Sequence, residues 1–290
     1  MKSFETQYNL YKGNLHTHTS LSDGRMSPEE CLEIYRRAGY DFIAITDHRK
    51  FYRAYTGPDM LVLSGTEFHL NDFETKRAYH IVGLGIEKEI ATDDSFQPQE
   101  IIDRIRQQRG LAIIAHPAWS LLTHDDLMAL KGYHGIEIWN TVSETNSGRG
   151  DSTVYGDVLA SKGFPTLLLA VDDTHFYDRD LFGGYVMVNS PGLDQESILE
   201  AIKAGRFYCS QGPEIKQIEL TDGILKVWTS PVREIRFMSD TFYCPDRIHR
   251  GEKEWIDKAE YEIKKTDRFV RIECLDDLGR KAWSQFIEVL

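Results

Sequence analysis

The sequence predicts an α/β protein over residues 1–205, followed by a small β-rich domain over residues 206–290. Two observations predict this division. Up to about Gly205, short apolar runs rich in β-branched residues alternate with segments of helical period. After Gly205 the helical segments stop, and strand patterns follow one another directly. The composition, 41% hydrophobic and 28% charged residues in a chain of 290, is that of a globular protein.

Strands and helices of the first part are expected in alternation. The expected strands are 13–16, 41–46, 60–67, 79–85, 111–115, 135–139, 165–171 and 182–188. The expected helices are 28–38, with Ser27 as N-cap and Gly39 as stop, 98–109, 125–131, 153–162 and 194–204. Alternation of this length predicts a mostly parallel sheet, either closed as a barrel or open and doubly wound.

Strands without intervening helices make up the second part. The expected strands are 214–220, 224–229, 234–238, 259–265, 269–275 and 282–289. Asp222-Gly223 and Leu278-Gly279 are turn signals that suit hairpins. This part is therefore predicted to be an antiparallel β domain, which either covers the site of the first part or forms an interface between subunits.

Histidines and carboxylates fall near the ends of the predicted strands. In parallel α/β architectures these ends meet on one face, where active sites assemble. Residues distant in sequence would then be neighbours. The candidates are His16, His18, Asp23, His48, Glu67, His80, His116, Asp173 and His175.

This pattern indicates metal binding. In His16-Thr17-His18, both imidazoles point to the same side of a strand and can reach one cation. Imidazole and carboxylate ligands without sulfur suit zinc, manganese or iron in a reactive site. The set exceeds what one tetrahedral ion needs, so more than one metal ion is expected, with Glu67 as the candidate bridge. Any one histidine alone is more often an ordinary hydrogen-bonded residue; the joint placement favours ligands.

The candidates lie in motifs that resemble those of the PHP (polymerase and histidinol phosphatase) metal-dependent phosphoesterases. The resemblance covers residues 10–205, and the motifs occur in the family's order and spacing. It implies a distorted seven-stranded β/α barrel with two or three ions at its C-terminal mouth. The motifs are Leu15-His16-Thr17-His18-Thr19-Ser20-Leu21-Ser22-Asp23-Gly24, Ile45-Thr46-Asp47-His48, Gly65-Thr66-Glu67, His80-Ile81-Val82-Gly83, Ala115-His116-Pro117 and Asp173-Thr174-His175.

The resemblance also implies how the ligands are shared among the ions. The sets it implies are His16, His18, Glu67 and Asp173 for a first ion, Glu67, His80 and His116 for a second, and Asp23, His48 and His175 for a third. Asp23 stands where some branches have histidine, and Val171-Asp172-Asp173 stands where Gly-Ser-Asp is common. The spacing to His175 favours Asp173, and Asp172 stays an alternative.

The function that this resemblance implies is hydrolysis of small phosphate mono- or diesters by a metal-bridging hydroxide, with Glu67 and Asp173 acting catalytically through it. Three alternatives stay open. The β-rich tail is similar to that of carbaryl-hydrolase-like metallohydrolases, which adds carbamate and carboxylic-ester hydrolysis. A 3′–5′ exonuclease and a non-catalytic metal-holding scaffold are the others.

Phosphate recognition needs a cation or an amide donor beside the metals. The candidates for substrate binding flank the motifs, although each residue type is common on ordinary solvated surfaces. They are Arg25, Lys76, Arg77, Asn140 and Arg149.

The net charge limits the expected partners, and the cysteine pattern limits the expected compartment. With 34 Lys and Arg against 46 Asp and Glu, the net charge is −12, which argues against long nucleic acids and anionic membranes as partners. A small-molecule phosphate ester is the expected partner, and a homo-oligomer is possible. The sequence has no apolar stretch of signal-peptide length, and its four cysteines form no Cys-x-x-Cys pair, so a cytoplasmic location is expected.

Overall fold

The structure is a computed structural model, and it describes residues 8–93, 95–243, 245–251 and 254–289. Nineteen strands and six helices lie within these residues. The strands are β1 (Asn9–Asn14), β2 (Phe42–Ala44), β3 (Tyr55–Thr56), β4 (Leu61–Leu63), β5 (Gly65–Asp72), β6 (Arg77–Leu84), β7 (Leu111–Ile114), β8 (Gly135–Asn140), β9 (Leu167–Val171), β10 (Tyr185–Ser190), β11 (Phe207–Ser210), β12 (Ile215–Thr221), β13 (Ile224–Val232), β14 (Glu234–Ser239), β15 (Ile248–Arg250), β16 (Ile256–Glu262), β17 (Phe269–Leu275), β18 (Lys281–Ser284) and β19 (Ile287–Glu288). The helices are α1 (Pro28–Arg37), α2 (Pro98–Gln107), α3 (His124–Ala129), α4 (Thr141–Ser147), α5 (Thr153–Ser161) and α6 (Gln195–Lys203).

Local chemistry explains where the helices begin. Ser27 forms a capping box with Glu30: the Ser27 side chain accepts from the Glu30 amide, and the Glu30 carboxylate accepts from the Ser27 amide. This confirms the predicted N-cap. Helix α4 was not predicted. It follows β8 without a linker, its first turn is capped by the Asn140 side chain, and it ends at Gly148 in the left-handed conformation.

The strands form three sheets. One has eleven strands in the order β15-β14-β17-β18-β11-β10-β1-β2-β4-β3, with β19 paired to β17. A second has the order β5-β6-β7-β8-β9, and a third the order β12-β13-β16. The α/β part is thus divided between the first two sheets, and the C-terminal strands between the first and the third.

The prediction of a mostly parallel sheet was wrong. Pairs β1-β2, β2-β4, β7-β8 and β8-β9 are parallel, but β1-β10, β5-β6 and β6-β7 are antiparallel. One cause is a hairpin between β5 and β6, where the Asp72 carboxylate accepts from the amides of Glu74 and Thr75 and favours a tight turn.

The ladders of the first two sheets do not close into a barrel within the described residues. Isolated bridges between Thr17 and Thr174 and between His48 and Glu67 connect them instead. The observed architecture is therefore a mixed α/β fold whose two sheets meet where the metal-ligand candidates lie.

Three hydrophobic clusters lie within the described residues: the smallest packs α1 against β2 and β4, and the other two form the main cores. The larger lies between the first two sheets and the helices, and it includes Phe207 and Trp283 from the C-terminal part. The second fills the C-terminal β sandwich, where the rings of Phe237 and Tyr261 stack at 5.3 Å. Because β11 pairs with both β10 and β18, the eleven-stranded sheet runs across the predicted boundary at residues 205 and 206. That boundary stays a prediction.

The C-terminal sandwich is also fixed to the α/β part by charge. Arg271 of β17 is buried and makes two hydrogen bonds with Asp157 of α5, at 2.6 and 2.7 Å. Lys281 donates to Asp151 at 3.0 Å. These contacts connect the sandwich to the segment that follows α4.

The described helices and cysteines bear on two expectations from the sequence. Across the described ranges, the helices are all too short or too polar to cross a bilayer. Cys31, Cys209 and Cys274 are free and buried, and the lack of a disulfide framework stays a prediction. Cys244 lies outside the described residues.

Candidate metal centre

The predicted ligands converge at the junction of the first two sheets. Backbone pairing brings the segments together: Asp173 donates its amide to the His16 carbonyl, and His18 donates its amide to the Thr174 carbonyl, both at 3.0 Å. On the other side, the bridge between His48 and Glu67 holds β5 against the segment after β2. The strands thus place side chains from distant segments in one cluster, as the sequence predicted.

The first ligand group lies deepest. The Nε2 atoms of His16 and His18 are 3.1 Å apart, and Asp173 Oδ1 lies 3.1 Å from each of them. Glu67 Oε2 lies 3.4 Å from His16 Nε2 and 3.2 Å from His18 Nε2. All four side chains are buried, so their lone pairs face one another without access for bulk water.

The second group lies beside the first and shares Glu67 with it. Glu67 Oε1 is 2.9 Å from His80 Nδ1 and 3.5 Å from His116 Nε2. Asp173 Oδ2 approaches His116 Nε2 to 3.7 Å. Glu67 therefore presents one oxygen to each of two groups, which is the arrangement of a bridging carboxylate.

The third group is closer to solvent. Asp23 Oδ2 lies 3.6 Å from the Nε2 atoms of both His48 and His175, and Asp23 Oδ1 lies 3.4 Å from His18 Nδ1. The Asp23 side chain is 52% exposed, whereas His48 and His175 are 19% and 17% exposed. His18 thus stands between the deep and outer groups, with one ring nitrogen facing each.

The residues fit divalent metal ions. Asp173 Oδ1 and His48 Nδ1 are buried and lack a hydrogen-bond partner in the described part of the chain, although other ligand atoms surround them. Buried polar atoms normally have a partner, so atoms left without one in a cluster of lone pairs indicate a shared cation. Histidine nitrogens and carboxylate oxygens in three groups, each with ligand atoms within 4.8 Å of one another, match the donor set of Zn²⁺, Mn²⁺ or iron.

A carboxylate that the sequence analysis missed orients the deepest ligand. Glu137 of β8 is buried, and its Oε1 lies 2.6 Å from His16 Nδ1. Its Oε2 accepts from the His116 amide at 2.9 Å and from the Asn140 side chain at 2.8 Å. Such a partner fixes the tautomer of a ligand histidine so that Nε2 faces the metal. An acidic residue between isoleucines in a buried strand was the available signal.

Other ligand histidines have partners of the same kind. Ser120 Oγ lies 3.0 Å from His116 Nδ1, and Asn71 Oδ1 lies 3.2 Å from His80 Nε2. In each ring, one nitrogen faces the ligand cluster and the other faces a fixed polar group. The rings are thereby oriented before any ion binds.

The carboxylates and imidazoles of the cluster shift one another's pKa values, and the outcome favours the binding of cations. Burial alone would lower the pKa of His16, but nearby carboxylates, first that of Asp173, hold this pKa well above its usual value. The pKa of His18 is also raised well above its usual value, because hydrogen bonds with Asp173 and Asp23 outweigh burial. Burial would raise the pKa of Glu67, yet the surrounding imidazoles hold it well below its usual value. The carboxylates are thus charged and attract cations.

The structure separates Asp173 from its neighbour Asp172. Asp173 faces the ligand histidines, and its Oδ2 accepts from the Asn140 side chain at 3.0 Å. Asp172 points away from them: it accepts from the Tyr35 hydroxyl at 2.8 Å, from Thr141 Oγ1 at 3.1 Å and from the amides of residues 182–184. Asp172 therefore holds a loop, and the geometry favours Asp173 as ligand.

The predicted substrate-binding residues occupy different places. Asn140 lies beneath the ligands rather than facing the substrate, because its amide donates to Glu137 and Asp173 and its oxygen accepts from the Ser143 amide. Arg77 pairs with Asp126 at 3.0 Å, and Lys76 is exposed in the turn after β5. Arg149 is exposed after α4, and Arg25 stacks over the Phe176 ring. Their roles in binding stay predictions.

A cavity of about 260 Å³ opens over the ligand groups. Among the described residues, its lining contains neither lysine nor arginine, and it draws none of its residues from the C-terminal sandwich. The predicted cover of the site by the β domain is therefore wrong for this cavity. The lining consists of Asp23, His48, Glu67, His80, His116, Trp119, Val142, Ser143, Asn146, Asp173, His175 and Phe176.

Comparison with known proteins agrees with this geometry. Residues 14–144 match the family model of the PHP domain. This segment is a PHP domain. It contains seven of the nine ligand candidates, and Asp173 and His175 lie beyond the matched residues, together with β9, the last strand of the second sheet.

Relatives of the PHP domain are distant. An uncharacterized protein of Methanocaldococcus jannaschii is 27% identical over 117 residues, which cover 37% of this chain and 67% of that protein. The phosphoribosyl 1,2-cyclic phosphate 1,2-diphosphodiesterase of Eggerthella lenta is 32% identical over 81 residues, 26% of this chain and 31% of that enzyme. The chain therefore spans less than a third of that enzyme in the match.

A solved structure resembles nearly the whole chain, including the part beyond the PHP domain. It is a two-domain protein from Bacteroides vulgatus that contains a predicted PHP-like metal-dependent phosphoesterase. The TM-score is 0.57 at 13% identity, covering 93% of this chain and 91% of that one. The likeness shows that the PHP domain and the C-terminal sandwich form a fold found elsewhere.

Proposed function

We propose that this protein is a metal-dependent hydrolase of small phosphate mono- or diesters. The observation that carries the proposal is the convergence of three ligand groups around Glu67 beneath an open cavity. The PHP domain and the phosphodiesterase that is 32% identical over 81 residues support the phosphate ester as substrate class.

The proposed cofactors are two or three divalent ions, Mn²⁺, Zn²⁺ or iron. His16, His18, Glu67 and Asp173 would hold the first, His80 and His116 with Glu67 the second, and Asp23, His48 and His175 the third. When bound, such ions lower the pKa of coordinated water to about 7 and neutralise the charge on a phosphoryl oxygen.

The residues of the chain prepare this chemistry by fixing the ligand atoms. Asn140 donates to Asp173 Oδ2, which keeps Oδ1 of that carboxylate directed at His16 and His18. Glu137 accepts from Asn140 as well, so these side chains form one hydrogen-bonded set. Preorganised charge of this kind does not need to reorient during the reaction. Glu67 and Asp173 are thus proposed to act through the ions they position.

A second candidate function is hydrolysis of a carbamate or carboxylic ester. One observation favours it: among the described residues that line the cavity, lysine and arginine are missing, so phosphate would find its positive charge only at the ions. A neutral ester would need no such charge. The PHP domain keeps phosphate ester hydrolysis first.

The test is a substrate panel on protein of measured metal content. The purified chain, loaded separately with Mn²⁺, Zn²⁺ and Fe²⁺, is assayed on p-nitrophenyl phosphate, bis-p-nitrophenyl phosphate and p-nitrophenyl N-methylcarbamate. We expect turnover of one of the phosphate esters to exceed that of the carbamate, and chelation to abolish it. Failure to hydrolyse any phosphate ester with any of the metals would overturn the proposal, and faster carbamate turnover would favour the second candidate.

The proposal extends to fold, compartment and partners. The two sheets are proposed to be parts of a distorted seven-stranded barrel, which the bridges Thr17 to Thr174 and His48 to Glu67 support. A cytoplasmic location is supported by three described cysteines that remain free thiols. The proposed partner is a small-molecule phosphate ester rather than a long nucleic acid or a membrane, in keeping with the net charge of −12. A homo-oligomer remains part of the proposal.

A further inference from the structure

Two exposed aromatic side chains stand at the cavity, each beside a different ligand group. The Trp119 ring lies 4.8 Å from that of His116 and 5.4 Å from that of His80, in the second group. The Phe176 ring lies 6.2 Å from that of His175, in the outer group. Trp119 is 38% exposed and Phe176 37% exposed, although both adjoin ligands that are largely buried. Apolar surface left open at a concave polar site is typical of a ligand contact.

Hydrogen bonds fix the backbone of both aromatic residues. Trp119 lies in a loop in which the Ser120 amide donates to the His116 carbonyl at 3.0 Å. The Ala118 amide of the same loop donates to Ser152 Oγ at 3.1 Å. These contacts hold the backbone on both sides of Trp119.

The loop of Phe176 is fixed by a single buried carboxylate. Asp180 Oδ2 accepts from the amides of His175 at 2.6 Å and Phe176 at 2.7 Å. Side chains on a rigid backbone lose little conformational entropy when they bind a ligand. Both rings are thus carried on backbone segments that hydrogen bonds hold in place.

The rest of the lining is neutral and comes largely from α4. Val142 adds an apolar surface, while Ser143 and Asn146 add uncharged polar groups. One of the predicted cations, Arg25, stacks over Phe176 at 4.9 Å and lies 4.0 Å from Asp178, which partly offsets its charge. Beyond the ions, the cavity therefore presents aromatic and neutral polar contacts, and a second anionic group would find no matching charge there.

We infer that the alcohol esterified to phosphate carries a planar aromatic ring, which Trp119 and Phe176 contact while Ser143 and Asn146 hydrogen-bond to its polar substituents. The inference rests on the proposed phosphate ester hydrolysis. Aromatic rings attract one another through stacked or edge-to-face contacts beyond the burial of their area. An arylmethyl alcohol and a nucleoside both supply such a ring.

Two matched substrate pairs test the ring without changing the reactivity of the leaving group. Benzyl phosphate is compared with cyclohexylmethyl phosphate, and adenosine 5′-monophosphate with ribose 5-phosphate, each pair releasing a primary alcohol. We expect kcat/KM to favour the aromatic member of at least one pair by about tenfold, since each aromatic contact contributes about 0.5–1.5 kcal/mol. Preference within the second pair alone would identify a nucleoside as the source of the ring.

Variants connect the preference to the two side chains. Trp119→Leu and Phe176→Leu should each reduce the ratio within the preferred pair to about threefold or less, while the metal content stays that of the wild type. Trp255→Leu is the matched control, since Trp255 is a 42% exposed indole of the C-terminal sandwich that does not line the cavity. It should keep the full ratio. Equal turnover within both pairs, or a preference that survives both cavity variants, would overturn the inference.

A binding measurement separates this inference from the proposed function. Benzylphosphonate and cyclohexylmethylphosphonate cannot be hydrolysed at the ester position, and their affinities for the metal-loaded protein are measured by calorimetry. Tighter binding of the benzyl compound, lost in Trp119→Leu, supports ring recognition even if no phosphate ester is turned over, in which case only the proposed function fails. Equal affinities together with measurable phosphate ester turnover would overturn the ring inference alone.

Discussion

The deep and outer ligand groups use the same donor types in different surroundings. His16, His18 and Glu67 are buried almost completely, whereas the carboxylate of the outer group, Asp23, is half exposed. Buried charges interact through a medium of low polarizability, so the deep carboxylates would attract a cation strongly. The loss of that attraction would be costly. Water screens the outer group, so the same donor types would hold an ion there less tightly. The comparison teaches that burial, rather than ligand identity, distinguishes the two regions.

The hydrogen bonds that hold the ligand candidates also differ: they are buried in the deep region and exposed in the outer region. In the deep region Glu137 and Asn140 form a second layer of hydrogen bonds behind the ligands. In the outer region Asp23 Oδ1 accepts from the neighbouring Ser22 hydroxyl at 3.0 Å, a contact that is exposed. We therefore expect the deep ions to be permanent and the outer ion to exchange.

The largest effect is expected from the residue that both deep groups share. Glu67→Gln removes the charge that faces five histidine rings, so we expect metal content to fall by at least one ion per chain and kcat/KM by about a thousandfold or more. Metal analysis by mass spectrometry and steady-state kinetics measure this. Glu74→Gln, the same change in the exposed turn after β5, should leave both unchanged. A Glu67→Gln protein with full metal content and turnover would refute the bridging role.

A smaller effect is expected in the outer group. Asp23→Asn should remove one ion and leave the deep ions bound, with kcat/KM reduced by about 10–100-fold, because the exposed carboxylate belongs to the outer group and reaches the deep groups only through His18. Metal stoichiometry after gel filtration is the measurement. Asp178→Asn, a similarly exposed carboxylate nearby, is the control. Loss of all ions from Asp23→Asn would show that the two regions bind metal as one unit.

The supporting layer should matter less than the ligands themselves. Glu137→Gln would present an amide group to donors on His16, His116 or Asn140, so one acceptor is lost. We expect the affinity of the deep ions to fall by about 10–100-fold, as measured by competition with a chelator of known affinity. The outer ion should be retained as in the wild type. Unchanged deep affinity would mean that Glu137 acts only in packing.

The smallest expected effect is the release of protons when the deep groups bind a metal. The pKa values of His16, His18 and His116 are raised in the metal-free protein, where carboxylates outweigh burial, so protons must leave these rings when a metal binds. In the outer group, burial followed by the charge of His18 lowers the pKa of His175. Metal affinity of the deep groups should therefore fall as pH falls.

Calorimetry in buffers of different ionisation enthalpy measures this release. About one proton or more should leave per deep ion at neutral pH. The release should persist in Asp23→Asn, because it originates in the deep groups. Proton release that disappears with Asp23 would reverse the assignment of the two regions.

Local patterns made much of the fold and the ligand set predictable. Strand ends and helix caps such as Ser27 depend on near neighbours in sequence, and most ligand candidates follow strand ends. Glu67 and His80 are exceptions, because they lie within β5 and β6. The pairing direction of β6 with β7 was not predictable, since it depends on how distant strands pack. Glu137 was missed because the Ile136-Glu137-Ile138 pattern marks it as unusual but does not show that it contacts His16, which lies far away in sequence. Trp119 was missed because its importance follows from exposure, which only the folded chain defines.

The continuity of the eleven-stranded sheet couples the tail of the chain to its head. A chain that ended at residue 205 would lose β11 and β18 and turn β10 into an open edge. Open edges present unpaired amides and carbonyls that recruit strands from other molecules. Next to β10 lies β1, whose end carries His16 and His18. The tail thus pairs the edge that β10 would otherwise leave open, one strand removed from the ligand candidates, although it contributes nothing to the described lining of the cavity.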